Sequence, residues 1–145
     1  MSPKDKIDSL GTLVRLRVSE VERLQSELSR QEATRARYQA NLDRLGALAA
    51  GSGASGTLPL ALALNCGQYK HAVLAMADTH RVDLQLHEAN MAIAQQNLNA
   101  AWNRKELLGK VLEQHQTAFG LEQERRAAKR EDEVATQSWL AGRAN

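Results

Sequence analysis

Residues 7–49 read IDSLGTLVRLRVSEVERLQSELSRQEATRARYQANLDRLGALA, and two series of side chains recur in them every seven positions. The second series is offset from the first by three residues, so apolar groups stand alternately three and four positions apart. Such spacing places them in one narrow stripe on a helix, because 3.6 residues complete a turn. The two series are Ile7, Val14, Val21, Leu28, Arg35, Leu42 and Ala49, and Leu10, Arg17, Leu24, Gln31, Tyr38 and Leu45. A stripe sustained over about six heptads predicts a coiled coil.

A glycine-rich interruption separates this segment from a second heptad pattern. Each glycine in residues 51–56 costs a helix about 1 kcal/mol, which predicts a flexible loop at about residues 50–58. We expect one coiled-coil domain over residues 1–145, with helices at about 4–49 and 59–140. The seam predicted for the second helix is Tyr69, Val73, Met76, His80, Leu84, His87, Met91, Ala94, Leu98, Ala101, Lys105, Leu108, Leu112, His115 and Phe119. The step from His80 to Leu84 adds one extra four-residue spacing, a stutter that locally unwinds a supercoil.

The short connection makes the two predicted helices antiparallel. Folding about a point near residue 54 pairs Leu42 with Cys66, Leu28 with His80 and Ile7 with Ala101. The last 35 to 40 residues of the second helix, about 50 to 60 Å, then have no intramolecular partner. A helix of that length is marginal in water unless something binds it. The sequence therefore predicts an all-α, antiparallel two-helix coiled-coil hairpin with an overhanging C-terminal helix that needs a partner.

Composition limits the classes of partner. The chain has 19 basic and 17 acidic side chains and a formal charge of +2, a near balance that disfavours binding to nucleic acid or to a membrane surface. Cys66 is the only cysteine, which indicates a reducing compartment. The apolar run from Leu58 to Leu64 is far shorter than the roughly 18 residues of a membrane span. We expect a cytoplasmic protein without direct membrane insertion.

The histidines on the predicted seam raise the question of a metal site. His80 and His87 are about 10.5 Å apart along a helix, whereas zinc–nitrogen bonds measure about 2.1 Å. We therefore expect no metal and no cofactor, and interpret His80, His87 and His115 as polar interface residues or contacts to another protein. The sequence contains no HExxH motif and no other catalytic signature, so we expect no enzymatic activity.

Two segments carry side chains beyond the seam. Leu13, Leu16 and Val18 broaden the apolar surface, and they either form a contact site or wrap the same two-helix interface. The run from Glu122 to Glu133 alternates charges of both signs, which is typical of a solvated helix face and fits a charged protein groove better than RNA. Val134, Trp139 and Leu140 follow it as an apolar anchor with no seam partner.

Two short motifs carry a family resemblance along essentially the whole chain. They are Ala101-Trp102-Asn103-Arg104-Lys105 and Lys129-Arg130-Glu131-Asp132-Glu133-Val134-Ala135. With these motifs and its two-helix layout, the chain resembles the FliJ family, the small coiled-coil component of the bacterial flagellar type III export apparatus. The resemblance implies an antiparallel coiled coil similar to the central stalk subunit of rotary ATPases. It also implies that the two chain ends insert into the hexameric export ATPase, FliI, and promote its ring formation.

The resemblance implies a second contact near the hairpin, to the export gate protein FlhA, and contacts with export chaperones. The gate residues that it transfers to this chain are Gln31, Arg35, Tyr38, Leu42, Tyr69, Val73, Met76 and His80. Arg35 and Leu42 depart from the family pattern, which has an apolar and an aromatic residue at these positions. The residues expected to contact the ATPase are Leu13, Leu16, Arg125, Arg126, Lys129, Arg130, Asp132, Glu133, Trp139 and Leu140.

These expectations combine into a non-catalytic stalk that acts in the cytoplasm, peripherally associated with the inner membrane at the export apparatus. An alternative is a structural scaffold that self-associates through the overhang, or a protein that escorts export chaperones. A third interpretation, a hairpin that binds nucleic acid, is disfavoured by the balanced charge.

Overall fold

The computed structural model describes residues 1–51 and 59–144, and this part of the chain forms two helices. Helix α1 spans Pro3–Gly51 and helix α2 spans Leu60–Arg143. Both helices exist where the heptads predict them, with ends that differ from the predicted ones by at most three residues. The loop predicted at about 50–58 falls largely on residues 52–58, which lie outside the described residues. The two helices pack against each other as a hairpin, and the described residues include no strand.

Residues 2–5 fix the start of α1. The Ser2 hydroxyl accepts a hydrogen bond from the Asp5 amide at 3.1 Å, and the Asp5 carboxylate accepts hydrogen bonds from the Ser2 hydroxyl at 2.7 Å and the Ser2 amide at 3.1 Å. This reciprocal arrangement is a capping box, with Pro3 at the first helical position. The hydrogen bond from the Ser2 side chain is the main cause that lowers the pKa of Asp5. Helix α1 therefore starts as the sequence predicts.

The predicted seam of α1 is confirmed in full. All thirteen positions of the two series are buried or half-buried, and Val21 and Ala49 are the most buried of them. Each remaining residue of α1 lies on a more exposed face, apart from half-buried Gly11, Glu20 and Thr34 beside the seam. A single narrow stripe of this kind suits one partner helix, as expected for a coiled coil.

The seam of α2 differs from the prediction at three positions. Met76 is 53% exposed, whereas its neighbour Ala77 is only 5% exposed, and Tyr69 and His115 are also exposed. With Ala77 in the seam, the spacing between Val73 and Leu112 is an unbroken alternation of four and three. The predicted stutter is therefore wrong. Spacings of four and three counted from Tyr69 predict Met76, but Tyr69 is itself exposed. The heptad phase of the buried residues selects Ala77, seven residues before Leu84, and a small residue at a seam position lets two helices approach closely.

The chain divides into two compact units. The terminal unit comprises Met1–Val21 and Ala101–Asn145, and the central unit comprises Glu22–Ala100. Each unit pairs one part of α1 with one part of α2.

In the central unit the helices are antiparallel, with a register that differs from the predicted one. Gln31 contacts His87, while Leu48, nearer the end of α1, lies with Tyr69 at one groove. The point midway between Gln31 and His87 is residue 59, not residue 54. The predicted pairs of Leu28 with His80 and Leu42 with Cys66 are therefore wrong, and Leu28 instead lies with Met91 and Leu98. The first turns of α2 have no α1 residue opposite them. A midpoint placed among the glycines therefore pairs each α1 residue with an α2 residue about three turns too near the start of α2.

The terminal unit shows the same correction. Glu20 contacts Arg104, so an antiparallel register places Pro3 opposite about residue 121. The predicted pairing of Ile7 with Ala101 is wrong by about four turns. The part of α2 without α1 beside it runs from residue 122 to 143, about 33 Å at 1.5 Å per residue, and is shorter than predicted. We call residues 122–143 the C-terminal segment. Apart from half-buried Ala127, all of its residues are exposed.

Candidate interaction surfaces

The C-terminal segment begins with a cluster of ion pairs around one carboxylate. Glu122 accepts a hydrogen bond from Arg126 at 3.3 Å and lies 3.8 Å from Arg125. Within the described residues, Lys129 and Arg130 have no carboxylate in salt-bridge distance. Exposed ion pairs contribute at most about 1 kcal/mol, so these charges do not hold the fold together. They are available to a partner surface.

The end of the C-terminal segment presents large apolar side chains to solvent. Val134, Trp139 and Leu140 are all exposed, and the guanidinium of Arg143 lies 4.8 Å from the centre of the Trp139 ring. Trp139 remains 60% exposed beside this cation–π contact. An exposed tryptophan beside an exposed leucine is typical of a binding surface.

The leucines near the start of α1 form a second exposed apolar surface in the terminal unit. Leu16 is 61% exposed, and Leu13 and Val18 are exposed to a lesser degree. The exposure of Leu16 favours the interpretation of these side chains as a contact site, whereas more than half of the surface of Leu13 and of Val18 is covered. The contact-site interpretation remains for Leu13 and Leu16.

One ion pair joins the two helices of the terminal unit, and the sequence pattern did not indicate it. Glu20 accepts hydrogen bonds from Arg17 at 3.1 Å and from Arg104 at 3.2 Å. The hydrogen bond from Arg17, with the positive charge of Arg104, lowers the pKa of Glu20. Glu20 and Arg104 both lie beside the seam, and only the correct register brings them together. The predicted register, with Ile7 opposite Ala101, places Glu20 and Arg104 several turns apart and so does not predict the pair.

A polar contact crosses the seam of the central unit. Nε2 of His87 donates a hydrogen bond to the backbone carbonyl oxygen of Gln31 at 2.8 Å. The ring of Tyr38 lies edge-on to His87, with centroids 5.5 Å apart and an angle of 63° between the planes. The interpretation of His87 as a polar interface residue is confirmed. His115, in contrast, is exposed and is not a seam residue.

The eight predicted gate residues are not equally accessible. Val73 is buried between the helices, and Gln31, Tyr38, Leu42 and His80 are half-buried. Nδ1 of His80 and Oε1 of Gln31 are buried without a hydrogen-bond partner in the described structure.

The remaining predicted gate residues are Arg35, Tyr69 and Met76. Arg35 is half-buried and donates hydrogen bonds to Glu32 of the same helix, the shorter at 2.6 Å, and this contact lowers the pKa of Glu32. Tyr69 and Met76 are exposed, and Tyr69 lines an open apolar groove of about 530 Å³ with Ala47 and Leu48. Of the eight predicted gate residues, Tyr69 and Met76 are therefore those with most surface available to a partner.

Neither a metal centre nor a membrane span is found in the described residues. No group of three or more His, Cys, Asp or Glu side chains is placed to hold a metal ion there. Neither α1 nor α2, as far as they are described, has a window apolar enough to cross a membrane. Cys66 is half-buried and free, near the start of α2.

The motif residues of α2 lie in the terminal unit. Trp102 is half exposed, with Nζ of Lys105 5.5 Å from its ring centre, and Asp132, Glu133 and Ala135 are exposed on the C-terminal segment. The sequence model of the family described as flagellar FliJ protein matches residues 6–144, nearly the whole chain. The chain belongs to the FliJ family. FliJ proteins are structural components of flagellar protein export, and membership of the family assigns this chain to the flagellar export apparatus. Comparisons with curated proteins and with solved structures gave no match to this FliJ chain.

Proposed function

We propose that this FliJ-family chain is the central stalk of the flagellar type III export apparatus, where it promotes assembly of the FliI-like ATPase ring and couples that ring to the FlhA-like gate. It acts without catalysis, in the cytoplasm, at the inner-membrane face of the apparatus. Export chaperones are further partners in this proposal.

The observation that carries the proposal is the exposed C-terminal segment. About 22 residues of helix have no α1 beside them and present unpaired cations followed by Trp139 and Leu140. An isolated helix of this length is marginal in water, and a binding partner offsets its ordering cost. A ring whose central channel encloses the segment provides such a partner. Leu13 and Leu16 add apolar surface in the same unit.

The proposed gate contact uses the central unit. The exposed residues Tyr69 and Met76, with Arg35, form the accessible part of the surface. Val73 does not face the partner in this proposal. Its side chain is buried between α1 and α2, where it packs under the exposed residues of the gate surface. Gate binding and ATPase binding therefore use different residues and can be abolished separately.

Deletion of residues 122–145 tests the ATPase contact. The truncated chain should lose capture of the export ATPase and stimulation of ATPase ring formation, yet keep gate binding. Retained gate binding shows that the central unit is folded. Capture of the ATPase at wild-type strength by the truncated chain would contradict the proposal.

A pair of substitutions tests the gate contact in the full-length chain. Met76→Asp with Tyr69→Ala should weaken binding to the soluble part of the gate protein at least tenfold, measured by calorimetry, and leave ATPase capture unchanged. Leu62→Ala is the matched control, because it changes another exposed apolar residue near the start of α2. Equal loss in the control variant would show that the effect is not specific to the proposed contact.

A further inference from the structure

The outer face of α2 in the central unit carries a second apolar stripe. Its members follow a heptad pattern in which consecutive residues are three, four or seven positions apart. We call it the outer stripe, and it consists of Ala75, Val82, Leu86, Ala89, Ile93 and Ala100. Thr79 and Gln96 occupy the two remaining heptad positions. All eight positions are exposed, and Val82 and Leu86 are 63% and Ile93 57% exposed.

The outer stripe is not a margin of the seam. At 100° per residue its centre lies about 200° around α2 from the buried residues Ala77 and Leu84. Helix α1 therefore cannot cover it. A heptad pattern that serves no intramolecular contact indicates a helix partner from outside the chain.

The C-terminal half of the outer stripe lies in a stretch without charged side chains, whereas Asp78, Arg81, Asp83 and Glu88 lie within the span of its N-terminal half. Residues 89–103 contain no Asp, Glu, Lys or Arg, and Asn90, Asn97 and Gln85 border the stripe. Covering an uncharged face with another uncharged helix has a small desolvation cost. The same face has no charges that could pair with those of a strongly charged partner.

The order of residues in the stripe is self-complementary when it is read in reverse. Two copies of α2, antiparallel about a two-fold axis between residues 87 and 88, place Val82 opposite Ile93 and Leu86 opposite Ala89. The same axis places Ala75 opposite Ala100 and Thr79 opposite Gln96. Apolar residues meet apolar ones, the two polar positions meet each other, and a large residue meets a small one, which is the pattern that interdigitating helices need.

Charge supports the same axis. Asp78 and Asp83, the acidic residues nearest the stripe, come beside Asn99 and Asn90 of the second copy, so no like charges meet. A parallel pair would instead set Leu86 against Leu86 and Ala89 against Ala89, which alternates crowding with gaps. The antiparallel arrangement is also isologous, as a closed dimer requires.

We propose that the outer stripe is a homodimer interface, in which two copies of this chain pair α2 with α2 antiparallel about residues 87 and 88. The contact extends over about 25 residues and lies at the low end of specific interfaces, about 1,200 Å² in total. An interface of this size forms and dissociates reversibly, so monomer and dimer exchange in solution. This goes beyond the stalk function, and it does not use the C-terminal segment.

Sedimentation velocity of the full chain between about 2 and 200 µM tests the interface. The weight-average mass should rise with concentration from monomer toward dimer. Ile93→Lys should weaken the dimer at least tenfold, because it places a charge opposite Val82 of the second copy. Leu74→Lys is the matched control on the same helix, outside the stripe, and should leave the equilibrium unchanged. Circular dichroism of each variant verifies that helix content is retained.

A charge pair then determines the direction of the two helices. Val82→Lys combined with Ile93→Glu should restore the dissociation constant to within about threefold of the wild-type value, since the antiparallel axis brings each new lysine to a new glutamate. Within one chain the two positions are about 16 Å apart along the helix and do not pair. A monomer at all concentrations, or a dimer unaffected by Ile93→Lys, would overturn the interface. A dimer that Ile93→Lys weakens but the double variant does not restore would overturn the axis.

Deletion of residues 122–145 separates this inference from the stalk function. The dimer should persist in the truncated chain, while ATPase capture is lost. Loss of the dimer on truncation would instead assign self-association to the C-terminal segment, as in the scaffold alternative, and would refute the outer stripe as the interface.

Discussion

Nε2 of His87 lies 2.8 Å from the backbone carbonyl oxygen of Gln31, and this hydrogen bond joins α2 to α1 in the central unit. It connects a side chain to the main chain, so it fixes the axial position of one helix against the other more strictly than apolar contacts do. A polar group in a coiled-coil seam is a known means of fixing register. The contact explains why a histidine occupies a position that leucine would fill in a uniform seam.

Replacement of His87 should cost stability in two separable parts. His87→Phe keeps an aromatic ring beside Tyr38 but loses the hydrogen bond, and should lower the free energy of unfolding by about 1 kcal/mol. His87→Ala also loses the ring contact and should cost about 1 kcal/mol more. Urea unfolding followed by circular dichroism measures both. Equal stability of the phenylalanine variant and the wild type would show that the hydrogen bond contributes nothing net.

The seam position at residue 77 makes a contrast with residue 76. Ala77→Leu adds volume between closely packed helices and should destabilise the chain by about 1 to 3 kcal/mol. Met76→Ala removes an exposed side chain and should change stability by less than about 0.5 kcal/mol. Ala72→Leu provides the control for leucine at an exposed position of α2. The opposite ranking of the variants at 76 and 77 would restore the stutter in the seam of α2.

Stability should fall in acid because carboxyl groups of α1 are held by hydrogen bonds. The pKa of Glu20 is lowered below 4.5 by Arg17 and then by Arg104, the pKa of Glu32 by Arg35, and the pKa of Asp5 below 3.8 by Ser2. A carboxyl with a lower pKa in the folded than in the unfolded chain stabilises the fold above its unfolded pKa, and this stabilisation is lost as the pH falls through the folded pKa.

The measurement is the thermal midpoint between pH 6 and pH 3, which should decrease below about pH 5. Glu20→Gln should show a smaller decrease over the same range, since it removes one of the titrating groups. A substitution at an exposed residue of α1 that contacts no carboxylate, such as Ser26→Ala, should keep the wild-type slope. A midpoint that rises on acidification would contradict the sign of all three shifts.

Hydrogen exchange should divide the terminal unit at about residue 121. Amides of residues 122–143 have no second helix to restrict opening, so we expect them to exchange at least 100-fold faster than amides around Leu84 and Val73 in the free chain. Binding of the export ATPase should slow exchange in the C-terminal segment. Exchange there as slow as in the central unit, in the free monomer, would mean that this helix is stable on its own.

The heptads of α1 predict one face of one helix from thirteen regularly spaced positions, and the second heptad pattern with the short connection adds the antiparallel partner. Residue 76 is an exception in α2. Spacings counted from exposed Tyr69 place Met76 in the seam, but burial follows the phase of the whole stripe and selects Ala77. The register was also beyond local sequence, since it depends on how many residues the connection and the first turns of α2 use before the first contact.

The interaction surfaces were predicted to unequal degrees. The charges and apolar residues of the C-terminal segment were visible as a run without a seam, and the structure exposes them as expected. The carried-over gate pattern included Val73, which is enclosed, because spacing alone does not distinguish the face that packs inward from the face that stays available. The Glu20–Arg104 pair was missed for the same reason as the register.

The change from two helices to one at about residue 121 gives the terminal unit a step in thickness. A channel wide enough for one helix, about 10 to 12 Å across with its side chains, would accept residues 122–143. Insertion would stop at about residue 121, where the start of α1 lies beside α2. The start of α1 would thus limit the depth of insertion to about 33 Å. Adding residues to α2 near position 121 would change this depth without changing the side chains at the end of the C-terminal segment.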